Sequence, residues 1–282
     1  MTGQAPGEAS RSEPIEKVTF RALAGCFLAA TELLRGPDVR AGLQGALVYG
    51  AAALDVAGLN RIMTADADAV PDERDIDAAL GEVSFAPVVT WWIPPGPAGA
   101  EIEARLVHRG FAADPGDDSA PAMWISLDAL PGPEPVPGLT IEPATSAAAV
   151  RTACMVAGAG FGMPDDLAAG FADLFARIAD APAVASRMLL ARLHGRPVAT
   201  ALAVANGEAV VIYNVATLPD ARGRGIGGAI TLAALREGQS RGATLGVLES
   251  SEIGYGVYRR LGFRDAGRYR ILARRRPSVA PA

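Results

Sequence analysis

The sequence predicts an α/β chain built in two halves, and three observations carry that expectation. Short apolar runs rich in β-branched residues, such as Val88–Ile93 and Val210–Thr217, alternate with stretches that place apolar residues at helical spacing. A proline-dense segment, Leu130–Gly138, interrupts the alternation near the middle of the chain. Asn206-Gly207, set between two apolar runs, is a strong signal for a tight antiparallel hairpin. With 282 residues, half of them hydrophobic, the chain has material for two modest cores or one large one.

Residues 1–14 are polar and glycine-bearing and read as a flexible start. The first half, 15–129, opens with Ile15–Leu34, where Phe20, Leu23, Phe27, Leu28, Leu33 and Leu34 recur at helical spacing. Strand-like runs follow at Ala46–Ala51 and Leu59–Thr64, then a helix over Asp72–Leu80 with acids in its first turn. Val88–Ile93 is a strand closed by Pro94-Pro95, a helix runs through Ile102, Leu106 and Val107 to Gly110-Phe111, and Ala122–Leu127 is a last strand. Residues 130–138 form a semi-rigid proline spacer.

The second half, 139–274, begins with a strand at Leu139–Ile141 and helices at Ala147–Ala157 and Asp165–Arg177. Strands Met188–Leu193 and Val198–Ala205 flank a turn, and Asn206-Gly207 leads into Ala209–Thr217. Leu218–Gly228 is then a glycine- and arginine-rich loop, and a helix begins near Ile226. Glycines let the backbone approach a ligand, and the first N–H groups of a helix have no partner inside it. Those donors, with about half a positive charge from the helix dipole, make an anion site, which Arg222 and Arg224 reinforce. A diphosphate suits it. Taken literally, Gly223-x-Gly225-x-x-Gly228 fits a dinucleotide fingerprint, but Leu218–Arg222 separate strand from glycine and no acid falls about 20 residues on.

The better description, Arg222-x-x-Gly225-x-Gly227, resembles the R/Q-x-x-G-x-G/A motif of the GNAT acetyltransferases, which hold the pyrophosphate of acetyl-CoA in this way. Downstream, Ser251-x-x-Gly254-x-x-x-Tyr258 leads into Leu261-Gly262-Phe263, similar to the family's fourth-helix ending. The resemblance spans roughly Gly138–Ala273 and implies a mixed, mostly antiparallel central sheet flanked by helices. Many members carry Asn where Ser251 stands and Ala where Gly254 stands. Leu106-x-x-x-Gly110-Phe111 after strand Val88–Ile93 echoes the Thr244–Phe263 pattern, so the first half is expected to be a degenerate GNAT-like repeat, as in tandem members; an unrelated α/β domain is the other reading.

The resemblance implies acetyl-CoA-dependent transfer of an acetyl group to a primary amine of a small molecule by direct attack. Val215, Ala216 and Thr217 would meet the pantetheine arm, with one N–H polarising the thioester. Gly223, Arg224, Gly225, Ile226, Gly227 and Gly228, with Arg222, would cradle the pyrophosphate, and Ser251 would add a polar contact. Tyr258 would protonate the departing thiolate, a nearly balanced transfer between a phenol near pKa 10 and a thiol near about 8.5. Members that acetylate protein amino termini carry a glutamate in mid-strand five, where this chain has Gly246; Glu249 is the candidate base, or else a solvated acid at a strand end. Asp165 and Asp166 favour a first helical turn, and Arg268, Arg270 and Arg274–Arg276 read as a solvated basic face and, over 275–282, a tail. Two further readings stay open: a non-catalytic acyl-CoA-binding module, which would not need Tyr258, and a dinucleotide-dependent oxidoreductase.

Composition sets the remaining bounds. A net charge of −5 argues against nucleic acid as a bulk partner. Two cysteines, Cys26 and Cys154, lie in apolar helix-like stretches and read as buried free thiols. Two scattered histidines, His108 and His194, do not suggest a zinc site. No apolar run suits a signal peptide or a bilayer span, so a cytoplasmic protein without membrane contact, monomeric or homodimeric, is expected.

Overall fold

A computed structural model describes residues 13–113, 118–180 and 186–276. Nearly all of the polar start and of the tail therefore lies outside the described residues. The first half runs α1 (Ile15–Leu33), β1 (Val39–Gln44), β2 (Leu47–Ala52), β3 (Arg61–Thr64), α2 (Glu73–Glu82), β4 (Val88–Ile93), α3 (Pro97–Val107), β5 (Ala112–Ala113) and β6 (Ser119–Ser126). The second runs β7 (Leu139–Pro143), α4 (Ala147–Phe161), α5 (Asp165–Phe175), β8 (Ser186–Leu193), β9 (Arg196–Asn206), β10 (Ala209–Thr217), α6 (Ile226–Gln239), β11 (Leu245–Glu249), α7 (Glu252–Leu261) and β12 (Arg264–Arg275). Among the described residues no helix is long and apolar enough to cross a membrane.

Local chemistry accounts for most boundaries. Ser146 and Ser251 cap α4 and α7 by accepting from backbone N–H groups three residues on. Gly162 and Gly262 end the same helices in the left-handed region, which a residue with a Cβ enters at a cost. Sequence periodicity missed β1. Val39-Arg40-Ala41-Gly42-Leu43-Gln44 is polar and glycine-containing, and it is held as an edge strand by its full ladder with β2.

All strands belong to one sheet, in the order β1-β2-β3-β4-β12-β6-β11-β10-β9-β8-β7, with β5 beside β12. Within each half an antiparallel run leads to a single parallel pair, β3 with β4 and β10 with β11, joined by a crossover helix, α2 or α6. A second helix and a last strand follow in each half, so the element order repeats. The last strands are exchanged: β12 pairs with β4, β6 pairs with β11, and the two pair with each other at the centre. At 12 residues, β12 is long enough to line β6 with its first part and β4 with its second.

The exchange fuses the cores as well. Phe20, Leu23, Cys26 and Phe27 of α1 share one cluster with Cys154, Phe171, Met188 and Val211 of the second half. Both cysteines are buried and free. On the opposite face, α6 covers Leu189, Ala201, Val210 and Leu248. Consecutive residues on β4 serve opposite faces, as strand alternation requires: Trp91 lies in the cluster under α2 and α3, while Trp92 lies in the α1 cluster.

Because each half lacks the strand that fills its own centre, the halves should not fold as independent monomers. Residues 139–282 expressed alone should aggregate or self-associate through the open edge of β11, and co-expression with 1–138 should recover a soluble complex by size exclusion. A monomeric 139–282 with a single cooperative melt would contradict this.

Candidate active site

The parallel pair β10–β11 opens at one end. Pairing runs only from Ala209–Leu245 to Val211–Val247, after which the register of β10 against β9 shifts between Tyr213 and Ala216. Asn214 takes φ 52° inside this bulge, a conformation that asparagine tolerates better than most residues. Val215, Ala216 and Thr217 therefore lie beyond the paired part of β10 and β11. The C-terminal turn of α4 packs on that end: a Cβ at Gly160 would come 2.9 Å from that of Ala216.

The glycine loop follows directly. Gly223 and Gly225 take φ of 75° and 79°, and Gly225 is the N-cap of α6 with no side chain bonding into the first turn. The N–H groups of Ile226, Gly227 and Gly228 therefore face outward without a partner in the helix. Arg222 is tied to its own chain. Its Nε donates to the Thr217 carbonyl at 3.0 Å and its Nη2 to the Gly160 carbonyl at 2.8 Å, so it braces the loop against β10 and α4. Arg224 is exposed beside it.

The equivalent point in the first half is closed. Asp72, the N-cap of α2, fills the helix N-terminus with its own carboxylate, accepting from the Asp75 N–H at 2.7 Å. The preceding loop carries acids where the second half carries arginines: Asp68 is paired with Lys17, and Asp66 with Arg21, whose hydrogen bond holds that carboxyl below its usual range. The N-terminus of α6 is therefore left electropositive, whereas that of α2 is already neutralised.

Tyr258 lies on α7, 8 % exposed, edge-on to Phe263 with ring centroids 5.7 Å apart. Gly254, one turn earlier, makes room for the ring, since a Cβ there would approach its Cε2 to 2.9 Å. Burial alone pushes the phenol up to about 12. The balance expected from the sequence is shifted: the phenol stays protonated at neutral pH but is a weaker donor than one near 10. Ser251, expected at the pantetheine arm, spends its oxygen on the Gly254 N–H as the α7 cap.

Glu249 is not a solvated strand-end acid. It faces the α1 side of the sheet and accepts from Arg61 Nη1 at 2.6 Å, the two side chains 7 % and 5 % exposed. The Arg61 guanidinium lies 3.6 Å over the Trp92 ring and 4.9 Å from that of Phe27. Both ends of the pair line a cavity of about 420 Å³ reaching from Asn214, Ser250 and Ser251 to Phe161, Met163, Phe171 and Phe175. Tyr213 and Tyr269 have phenols raised above their usual range, first by burial and then by the Glu249 charge. Gly246 points to the other face, where a Cβ would meet Leu235 at 2.6 Å and Ile125 at 2.9 Å. Asp165 and Asp166 stay exposed in the first turn of α5. In the basic C-terminal strand, Arg270 pairs with Glu103 at 2.7 Å and Arg275 with Asp55 at 2.8 Å across the halves. Sequence reasoning missed Arg61, which carries no motif and meets Glu249 188 positions away.

Residues 161–263 match the acetyltransferase (GNAT) family, a stretch that contains the glycine loop and the Tyr258–Phe263 ending. No curated protein matches the sequence. Among solved structures, a GCN5-related N-acetyltransferase from Kribbella flavida is 23 % identical, with 91 % of this chain and 97 % of that one covered at a TM-score of 0.63. One from Sphaerobacter thermophilus is 19 % identical, covering 93 % and 95 % at 0.57. A tandem GNAT protein from the clavulanic acid biosynthesis pathway is 12 % identical, covering 93 % and 96 % at 0.54. These chains share the two-part fold over nearly their full lengths.

Burial of Tyr258 has a pH consequence. Below about pH 10 the phenol is protonated in both folded and unfolded chains; between about 10 and 12 only the unfolded chain ionises, so stability is lost as pH rises. Tyr258→Phe should remove about 2 kcal/mol of that alkaline loss, read from urea unfolding at pH 9 and pH 11.5. An unchanged pH dependence would contradict the burial.

Proposed function

We propose that the second half transfers the acetyl group of acetyl-CoA to the primary amine of a small molecule by direct attack. Membership of 161–263 in an acetyltransferase family makes acyl transfer the chemistry to be explained. The observation that carries the finer reading is the uncapped, glycine-lined N-terminus of α6, set at the mouth of the strand pair β10–β11 where that pair comes apart. The residues present fit acetyl-CoA. The N–H groups of residues 223–228 and the charge of Arg224 suit its diphosphate, and the unpaired edge of Val215–Thr217 suits an amide-bearing arm. When bound, acetyl-CoA supplies the activated acyl group.

The chain's own contributions follow from placement. A main-chain N–H of 215–217 polarises the acyl carbonyl and stabilises the oxyanion that develops on it, a contribution of about 3–4 kcal/mol per donor. As the amine nitrogen bonds to the acyl carbon and the carbon–sulfur bond breaks, the Tyr258 hydroxyl gives its proton to the departing sulfur. The amine's surplus proton passes to Glu249, directly or through water. The acceptor enters through the apolar cavity on the Glu249 side.

Acetyl-CoA and CoA, but not NAD, should raise the melting temperature. Gly225→Ala, forced to φ 79°, should weaken acetyl-CoA binding by about tenfold in titration calorimetry. Tyr258→Phe should lower kcat by about 10²–10⁴ in a thiol-release assay while acetyl-CoA still binds. Equal rates would remove Tyr258 from the reaction, and binding without turnover across an amine panel would favour a non-catalytic acyl-CoA module.

A further inference from the structure

We infer that Arg61, supplied by the first half, is the positioning residue for Glu249, and that together they form the polar end of an acceptor site for a compact monoamine on an apolar body. The inference deepens the transferase reading above and rests on it.

The geometry has three parts. First, the pair is buried, and a buried ion pair is weak evidence for stability, because desolvation offsets much of the attraction. Its retention at the mouth of a cavity points to a task other than stability. Second, Arg61 is fixed from three sides. Trp92 and Phe27 hold its planar face, and Nη1 holds Glu249 Oε1, so that carboxylate cannot swing. Oε2 is left to meet a nitrogen arriving beside Ser250, Ser251 and Asn214, where β10 and β11 separate. Third, Arg61 and Glu249 are the charged residues lining the cavity, and they cancel. The remaining walls are mainly apolar, with Phe27, Trp92, Phe161, Phe171 and Phe175 among them. A polyamine would bring further charges that no second acid there receives, and an aminosugar more hydroxyls than the few polar groups of the lining, Tyr213 and Asn214 with buried unpaired atoms among them, can meet. One amine on an arylalkyl body, arriving as the free base, leaves nothing unpaired, because Glu249 takes its N–H and the aromatic walls take the rest.

In the reaction Glu249 accepts the proton that the nitrogen loses as the new carbon–nitrogen bond forms, and Arg61 touches neither reactant. The first half then has a definite role, although its own helix terminus is sealed: it orients the base of the second.

The test uses the full chain, acetyl-CoA and three acceptors: 2-phenylethylamine, phenylalanine and glucosamine. The wild type should prefer 2-phenylethylamine by at least about tenfold in kcat/KM over the other two. Arg61→Met should bind acetyl-CoA normally by calorimetry but lose about 100-fold in kcat, with a smaller change in KM. Arg61→Lys should recover part of that loss. Because one unpaired buried charge can unfold a protein, Arg61→Met/Glu249→Leu should restore the melting temperature without restoring turnover. Wild-type rates in either Arg61→Met variant, or Arg61→Lys no better than Arg61→Met, would overturn the positioning role. A preference for phenylalanine would overturn the monoamine assignment and make Arg61 a carboxylate reader. Failure of the wild type to bind acetyl-CoA would overturn the transferase reading and this inference with it; binding with any of the other adverse results would overturn this inference alone.

Discussion

The exchange of β6 and β12 is the constraint on which the rest of the molecule depends. Each strand completes the half to which it does not belong in sequence, so the sheet has no internal edge and neither half keeps a private core. Backbone pairing sets the geometry. Once β12 pairs with β4 and β6 with β11, the two halves can meet in one register only, since a one-residue slip would turn every buried side chain to the wrong face. That register brings Arg61 on β3 to Glu249 on β11 and lets α1 roof the cavity beside them. The site is thus assembled by hydrogen bonds some distance from it.

The two halves repeat one plan with opposite electrostatics at one decisive point. A helix N-terminus left open presents several aligned N–H groups and a partial positive charge, whereas one capped by a carboxylate is already neutralised. Gly225 leaves α6 open and Asp72 closes α2. Arginines flank the first and acids flank the second, so the difference extends beyond a single residue to the local field. It explains in physical terms how a repeated fold can leave one helix N-terminus electropositive and neutralise the other.

The elements legible in the sequence were those whose causes are local. The strand at Val88–Ile93, the hairpin at Asn206-Gly207, the glycine loop and the Ser251-to-Gly262 helix are each specified by residues within a dozen positions. The repeat was visible for the same reason, as two stretches with a common local pattern. Val39–Gln44 was not legible, because little in it favours a strand except the partner it finds in β2. At the site, Tyr258 and Gly225 announced themselves through spacing. Glu249 was noticed but its setting was misjudged, because nothing near it in the chain indicates burial. Arg222 was recognised as part of the loop while its bonds to Thr217 and Gly160, the second of them 62 positions away, were not.

By itself, then, the sequence determined the order of elements, the glycine-rich turn before α6 and the tyrosine helix, because backbone preference, capping and glycine freedom act over a few residues. Tertiary structure alone decided that the last strands trade places, that the first half supplies Arg61, and that Glu249 lies buried in an ion pair beside an aromatic cavity. Those facts depend on which surfaces meet, and a contact spanning 188 positions leaves no trace in local spacing.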